Sequence, residues 1–117
     1  MLARVEAGGL DVDLVMVEVH EAGLAMTLDV ASRPGTLPPA SMARVSVSDD
    51  TETAYRASAQ GQGGLPSRMR YVVTAIPAPP PATSRLEITI EWFFDPFPGG
   101  RQQASGPWMF SVALPPR

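Results

Sequence analysis

The feature that most constrains this chain is a two-residue alternation of apolar and polar side chains along most of its length. In the clearest case, at 86–92, every second side chain is Leu, Ile or Trp, and Glu or Thr stands between them. Successive side chains of a β-strand point to opposite faces, so the pattern predicts a half-buried strand rather than a helix. Continued past this segment, it places Trp92 inward, Phe93 outward and Phe94 inward.

The same alternation predicts seven strands. They cover Val12–Val19, Leu24–Ala31, Met42–Ser48, Thr53–Ala59, Ser67–Ala75, Leu86–Trp92 and Trp108–Leu114. The first two form a hairpin through His20–Gly23, in which we expect Gly23 to take a positive φ. The polar character of Thr53–Ala59 predicts an edge strand.

All 13 prolines fall outside these segments. Proline cannot donate to a strand ladder, so Ser32–Ser41 and Pro77–Pro81 are interpreted as crossovers between two sheets. Short strands with turn signals between them and no helical period predict an all-β antiparallel sandwich.

The order of hairpins and crossovers over Leu10–Leu114 resembles the immunoglobulin-like sandwich. The fold class implied is a seven-stranded antiparallel Ig-like β-sandwich with Greek-key connections, in a single domain spanning 1–117. The cysteine pair of antibody domains is missing. Sandwiches of this type mostly serve in adhesion or assembly or as accessory domains, although a fold does not fix a function.

Composition excludes several classes of function. With 9 basic against 12 acidic side chains the chain carries a net charge of −3, so we expect no nucleic-acid partner. The absence of cysteine removes disulfides, thiolate metal sites and thiol nucleophiles. No signal-peptide pattern or membrane-length apolar run is present, which predicts a cytoplasmic protein with no membrane partner. The chain lacks Lys and Asn and is rich in Ala, Gly, Pro and Arg, as in a high-GC bacterial genome.

One segment favours recognition. The predicted binding residues are Trp92, Phe93, Phe94, Asp95 and Phe97. Rigid aromatic rings beside stiff backbone give contact area at little entropic cost, as binding surfaces require. The alternative is that Phe93 and Phe97 cap the open end of the sandwich or cover the other sheet face.

We therefore expect a non-enzymatic protein-interaction or assembly module, acting on a partner or by self-association as a homo-oligomer. Phe93, Phe97 and an edge strand would form the contact. The alternative is a carbohydrate-binding module, with the aromatic rings as a platform and Glu87, Glu91 or Asp95 as acceptors.

Other polar groups have simpler interpretations, and we predict no catalytic residue, metal site or cofactor. Asp49–Glu52, with Asp29, could offer carboxylates to calcium, but a polar turn explains them better. Glu87 and Glu91 share the outward face of a strand, where charge is expected. His20 is interpreted as a solvated turn residue. A strip formed by Arg44, Arg56, Arg68 and Arg70 is interpreted as surface solvation.

Overall fold

The computed structural model describes residues 2–35, 40–63, 67–100, 102–103 and 106–116. Nine strands are assigned within these residues. They are β1 (Ala3–Ala7), β2 (Leu10–Val19), β3 (Leu24–Ser32), β4 (Met42–Asp49), β5 (Arg56–Gly61), β6 (Arg68–Ile76), β7 (Arg85–Phe94), β8 (Gln102–Gln103) and β9 (Trp108–Ala113).

The strands form two antiparallel runs that meet at a short junction. One run has the order β1–β2–β3–β6–β5, and in the other β7 pairs with β4 on one side and with β8 and β9 on the other. The junction between β4 and β5 has only two residue pairs, Met42 with Gln60 and Ala43 with Ala59. The predicted antiparallel all-β class is confirmed.

The structure assigns nine strands where the alternation predicted seven. One addition is β8, in the segment predicted as a loop after β7. The other is β1, which forms a hairpin with β2 through Gly8 and Gly9 at φ values of 58° and 79°. Two successive residues with positive φ define the tight turn that matches strand twist, and glycine adopts it readily. The two predicted crossovers connect the two runs, from β3 to β4 and from β6 to β7, but the runs belong to one hydrogen-bonded sheet and not to the two separate sheets that were predicted.

The hairpin between β2 and β3 forms as predicted, but for a different reason. His20 and Gly23 exchange two backbone hydrogen bonds, at 2.8 and 3.3 Å, around Glu21 and Ala22. Gly23 does not take the positive φ that we expected. A Cβ at this position would lie 2.4 Å from the carbonyl oxygen of Ala75, so close strand packing requires the glycine.

The core lies between the inward faces of the two runs. It contains alternate side chains of β3, β4, β6 and β9, among them Met26, Val45, Tyr71 and Phe110. In β2 the ladder shifts between Leu14 and Met16, so Val15 is an extra residue on that strand. Such a bulge reverses the faces of the residues that follow it. Consequently Met16 is 45% exposed, whereas Leu14 is buried.

Ion pairs cross the outer face of the first run. Asp13 and Asp29 face each other on β2 and β3, and each receives two hydrogen bonds from an arginine on the next strand, Arg4 and Arg70 respectively. These hydrogen bonds lower the pKa of both aspartates. The arginines thereby offset the repulsion between two like charges placed opposite each other.

Candidate binding site

The predicted aromatic segment lies at the end of β7 and in the loop that follows, and a second bulge changes which rings face inward. Arg44 of β4 pairs with Trp92, whereas the next residue, Val45, pairs with Ile90, so Glu91 is the extra residue. The alternation therefore reverses at this point. Phe93 is completely buried, whereas Trp92 and Phe94 are partly exposed, so the predicted faces of all three rings were wrong.

Phe93 belongs to the core. Its ring centroid lies 5.1 Å from that of Tyr71 and 5.1 Å from that of Trp108, the latter with the rings edge to face. The polar ends of both neighbours are hydrogen bonded, Tyr71 to the carbonyl of Ala40 and Trp108 to the carbonyl of Leu10 at 3.3 Å. Phe93 therefore supports the site from inside and has no surface to offer a partner.

Trp92 carries a cation on its outer side. The guanidinium carbon of Arg44 lies 5.5 Å from the indole centroid, within cation–π range. The same guanidinium donates to Glu91 at 2.9 Å. Arg44 is thus held over the ring and its charge is paired.

The remaining predicted residues differ in exposure. Asp95 accepts hydrogen bonds from the backbone N–H of Ser41 at 3.2 Å and from its hydroxyl at 3.4 Å, which joins the end of β7 to the start of β4. Phe97 is 62% exposed in a turn closed by a hydrogen bond from the Gly100 N–H to the Phe97 carbonyl, at 2.8 Å.

The sheet opens between β4 and β5. The N–H of Gly61 donates to the carbonyl of Ser41 at 2.7 Å, so the backbone polar groups of Ser41 point toward β5. Because these groups alternate in direction along a strand, the N–H and C=O of Ala43 also point toward β5. Val45 and Val47 have the same orientation, but β5 no longer pairs with them. Within the described part of the chain their N–H and C=O groups on this side have no ladder partner.

The opposite strand has a matching free edge. In β5 the pairing with β6 runs from Arg56 to Gly61, whereas pairing with β4 is limited to Ala59 and Gln60. Ala57 therefore turns its backbone groups toward β4 without a ladder partner among the described residues. β5 is therefore not the predicted edge strand, because it pairs with both β6 and β4, although its pairing with β4 is limited to two residues. The strand also begins at Arg56 rather than at Thr53.

A groove of about 620 Å³ lies between these two edges, and we call it the β4/β5 groove. Its lining is Met42, Ala43, Arg44, Val45, Tyr55, Arg56, Ala57, Ser58, Ala59, Trp92, Phe94, Asp95 and Gly100. Three predicted binding residues, Trp92, Phe94 and Asp95, thus meet in one site. Phe93 and Phe97 are not in the lining.

A second cavity of about 700 Å³ adjoins this groove, and we call it the Ile76 cavity. It is lined by Ala22, Ala54, Tyr55, Arg56, Ile76 and Pro77. Tyr55 and Arg56 line both spaces, and we call the two spaces together the trough. Neither residue was predicted to belong to a site, because neither follows a recognisable motif, and Arg56 was assigned to a solvated strip.

Tyr55 is held by an anchored carboxylate. Its hydroxyl donates to Asp49 at 2.6 Å, and Asp49 also accepts hydrogen bonds from Thr51, Thr53 and Thr83. Burial opposes ionisation of Asp49, but the hydrogen bonds from Tyr55, Thr53 and Thr51 outweigh it and lower the pKa of this carboxyl. Burial, together with the Asp49 carboxylate, raises the pKa of Tyr55 to about 12.

The other candidate groups of the sequence analysis are accounted for by local contacts. Asp49 and Asp50 accept hydrogen bonds from protein groups, Asp50 from the N–H and hydroxyl of Ser84. His20 is exposed, and its Nε2 lies 3.6 Å from Oε2 of Glu18. Within the described residues, no three His, Cys, Asp or Glu side chains are grouped as a metal site requires.

The chain matches no protein-family model, no curated protein and no solved structure. Over the residues that the structure describes, no helix has the length and apolar character needed to cross a membrane. The trough is therefore interpreted from its own geometry.

Proposed function

We propose that this protein is a non-enzymatic interaction module that binds an extended segment of a partner protein in the β4/β5 groove. The observation that carries the proposal is the separation of β4 and β5 beyond Ala43 and Ala59. It leaves two backbone edges on the walls of an open groove. An extended peptide gains affinity on such an edge through main-chain hydrogen bonds and specificity through side-chain pockets.

We also propose that the scaffold is immunoglobulin-like. The runs β2–β3–β6–β5 and β4–β7–β9 correspond in connectivity to the two sheets of a seven-stranded immunoglobulin domain. In this arrangement β4 and β5 are the edges of different sheets on one side of the sandwich. A gap between β4 and β5 is then expected from the immunoglobulin-like arrangement itself, which supports a binding groove at this position.

The aromatic residues of the groove support the same function. Trp92 and Phe94 are partly exposed beside the free edge of β4, where a bound strand would cover them. Burial of apolar surface contributes about 25 cal/mol per Å², so two partly covered rings add appreciably to main-chain pairing. Trp92, and not Phe93 as predicted, therefore presents an aromatic ring to the partner.

A carbohydrate platform receives less support. The acceptors it would need are already engaged, Glu91 with Arg44, Asp95 with Ser41, and Glu87 with the hydroxyl of Ser111 at 2.9 Å. In addition, Arg44 lies over the ring of Trp92 that a sugar would stack on.

The proposal is tested with a random-peptide phage library selected on the wild-type protein and on Val45→Pro. Proline at this position removes an N–H that faces the groove and leaves the β4–β7 hydrogen bonds of the neighbouring residues in place. We expect sequences that are enriched on the wild type and lost on the variant, whose fold is checked by circular dichroism. Phe97→Ser, outside the groove, is the control and should retain binding.

Amide hydrogen exchange of the complex locates the bound peptide. A peptide paired with the free edges should slow exchange at Val45, Val47 and Ala57, because these amides gain hydrogen-bond acceptors. If the selected peptides protect other strands instead, or bind Val45→Pro equally well, the proposal is wrong.

A further inference from the structure

We infer that the segment bound in the trough carries a carboxylate that pairs with Arg56 and an apolar side chain that covers Ile76 in the adjoining cavity. The inference rests on the proposed function and specifies the chemistry of the partner. It follows from one unpaired charge, one exposed apolar side chain and the register that joins them.

The unpaired charge is Arg56. Four other arginines each form an ion pair with at least one acid, namely Arg4, Arg33, Arg44 and Arg70. Arg56 is exposed, lines both spaces of the trough and forms no ion pair with any described residue. Among the residues that line the Ile76 cavity it is the only one that carries a charge.

The exposed apolar side chain is Ile76, which is 50% exposed. Its neighbours in the cavity include Ala22, Ala54 and Pro77, which offer no side-chain hydrogen-bonding group. An apolar side chain of a partner would cover this surface without removing water from a polar side chain of these three residues.

The register places the two features side by side. Arg56 and Ile76 are directly paired across β5 and β6, so their side chains share one face. Directly opposed side chains lie roughly 4.5–5.5 Å apart, so a partner segment that reaches Arg56 also lies beside Ile76.

A second copy of the chain fits less well. The free edge of β4, which would pair with its counterpart, consists of Val45, Ser46, Val47 and Ser48 and contains no acid. Asp49, next along the strand, is held by its own hydrogen bonds. The charge of Arg56 therefore favours a different, acidic segment.

The experiment measures binding of the library-selected peptides by fluorescence anisotropy. We expect the selected peptides to contain both an acidic and an apolar residue, and we expect about two- to fivefold weaker binding to Arg56→Gln, the range for an exposed charge pair. Replacing the acidic residue of the peptide by its amide should cause the same loss, with no further loss on Arg56→Gln. Arg68→Gln, an exposed arginine outside the trough, should bind like the wild type.

Two further arms complete the test. Peptides with free and amidated C-termini distinguish a terminal carboxylate from a side-chain carboxylate. Light scattering of the free protein detects a dimer, and a dimer that Val45→Pro dissociates would overturn the inference in favour of a second copy.

Binding in the groove by peptides with no preference for an acidic residue would overturn the inference, while the proposed function stands. Failure to select any groove-dependent peptide would overturn both.

Discussion

Replacing Phe93 by alanine should destabilise the protein severely, although the alternation of the sequence places this ring on the surface. The side chain is completely buried and contacts Tyr71 and Trp108 at centroid distances of 5.1 Å. Truncating a buried Phe costs about 3–5 kcal/mol. Loss of the two ring pairs, each contributing about 0.5–1.5 kcal/mol, places the expected value in the upper part of that range.

The effect is measured as the free energy of unfolding from guanidinium titrations followed by circular dichroism. In a chain of 117 residues, 1 kcal/mol shifts the Tm by roughly 3–6 °C, so the variant should melt at least about 10 °C lower. A domain's total stability is about 5–15 kcal/mol, and Phe93→Ala could therefore be largely unfolded. Phe93→Leu, which keeps a large apolar side chain but loses both ring pairs, should be less destabilising than Phe93→Ala.

Phe97→Ala is the matched control, because this ring is 62% exposed and belongs to the same segment. We expect it to change the free energy of unfolding by less than about 0.5 kcal/mol. Equal effects of the two alanine substitutions, or a larger effect at Phe97, would refute the reversal of faces that the bulge produces.

Two further predictions concern Asp49 and Gly23. The lowered pKa of Asp49 means that its stabilisation is complete above its ordinary value of 3.8 and declines as pH falls below it. In Asp49→Asn the urea midpoint of unfolding should therefore fall less steeply with decreasing pH than in the wild type. The substitution should lower the free energy of unfolding by about 1–3 kcal/mol near neutral pH. Parallel pH profiles of variant and wild type would contradict this. Gly23→Ala places a Cβ 2.4 Å from the Ala75 carbonyl oxygen, and overpacking of this kind costs about 1–3 kcal/mol, measured by chemical denaturation. A neutral result there would show that the hairpin relaxes easily.

Strand positions could be predicted from the sequence because one face of each strand is buried. The alternation at Leu24–Ala31 and at Met42–Ser48 matches the observed strands β3 and β4 to within one residue. Prolines and glycines marked the connections for an equally local reason, since they cannot continue a ladder or only weaken it.

The orientation of the aromatic segment could not be predicted in the same way. One extra residue at Glu91 exchanges the faces of Trp92 and Phe93, and nothing in the local pattern marks that position. The bulge depends on the register of β4 against β7, which involves residues almost fifty positions apart in the chain. A pattern confined to one strand carries no information about its partner.

The site itself depends on tertiary structure even more strongly. The groove exists because β4 and β5 diverge, and Arg56 matters because no acid from another strand reaches it. The sequence shows nine arginines of equal standing. Only the arrangement of strands shows that Arg56, which forms no ion pair with a described residue, lines the groove.

The hydrogen bond from Trp108 to the carbonyl of Leu10 has a consequence for folding during synthesis. The two residues are 98 positions apart, so the interaction is among the last that a growing chain can make. Ribosomes add about 5–20 residues per second, which leaves the inner face of β2 uncovered by β9 for several seconds. Folds dominated by such distant contacts form slowly. The emerging chain therefore passes through a period in which its first hairpins are complete but one end of the core is open to other nascent chains.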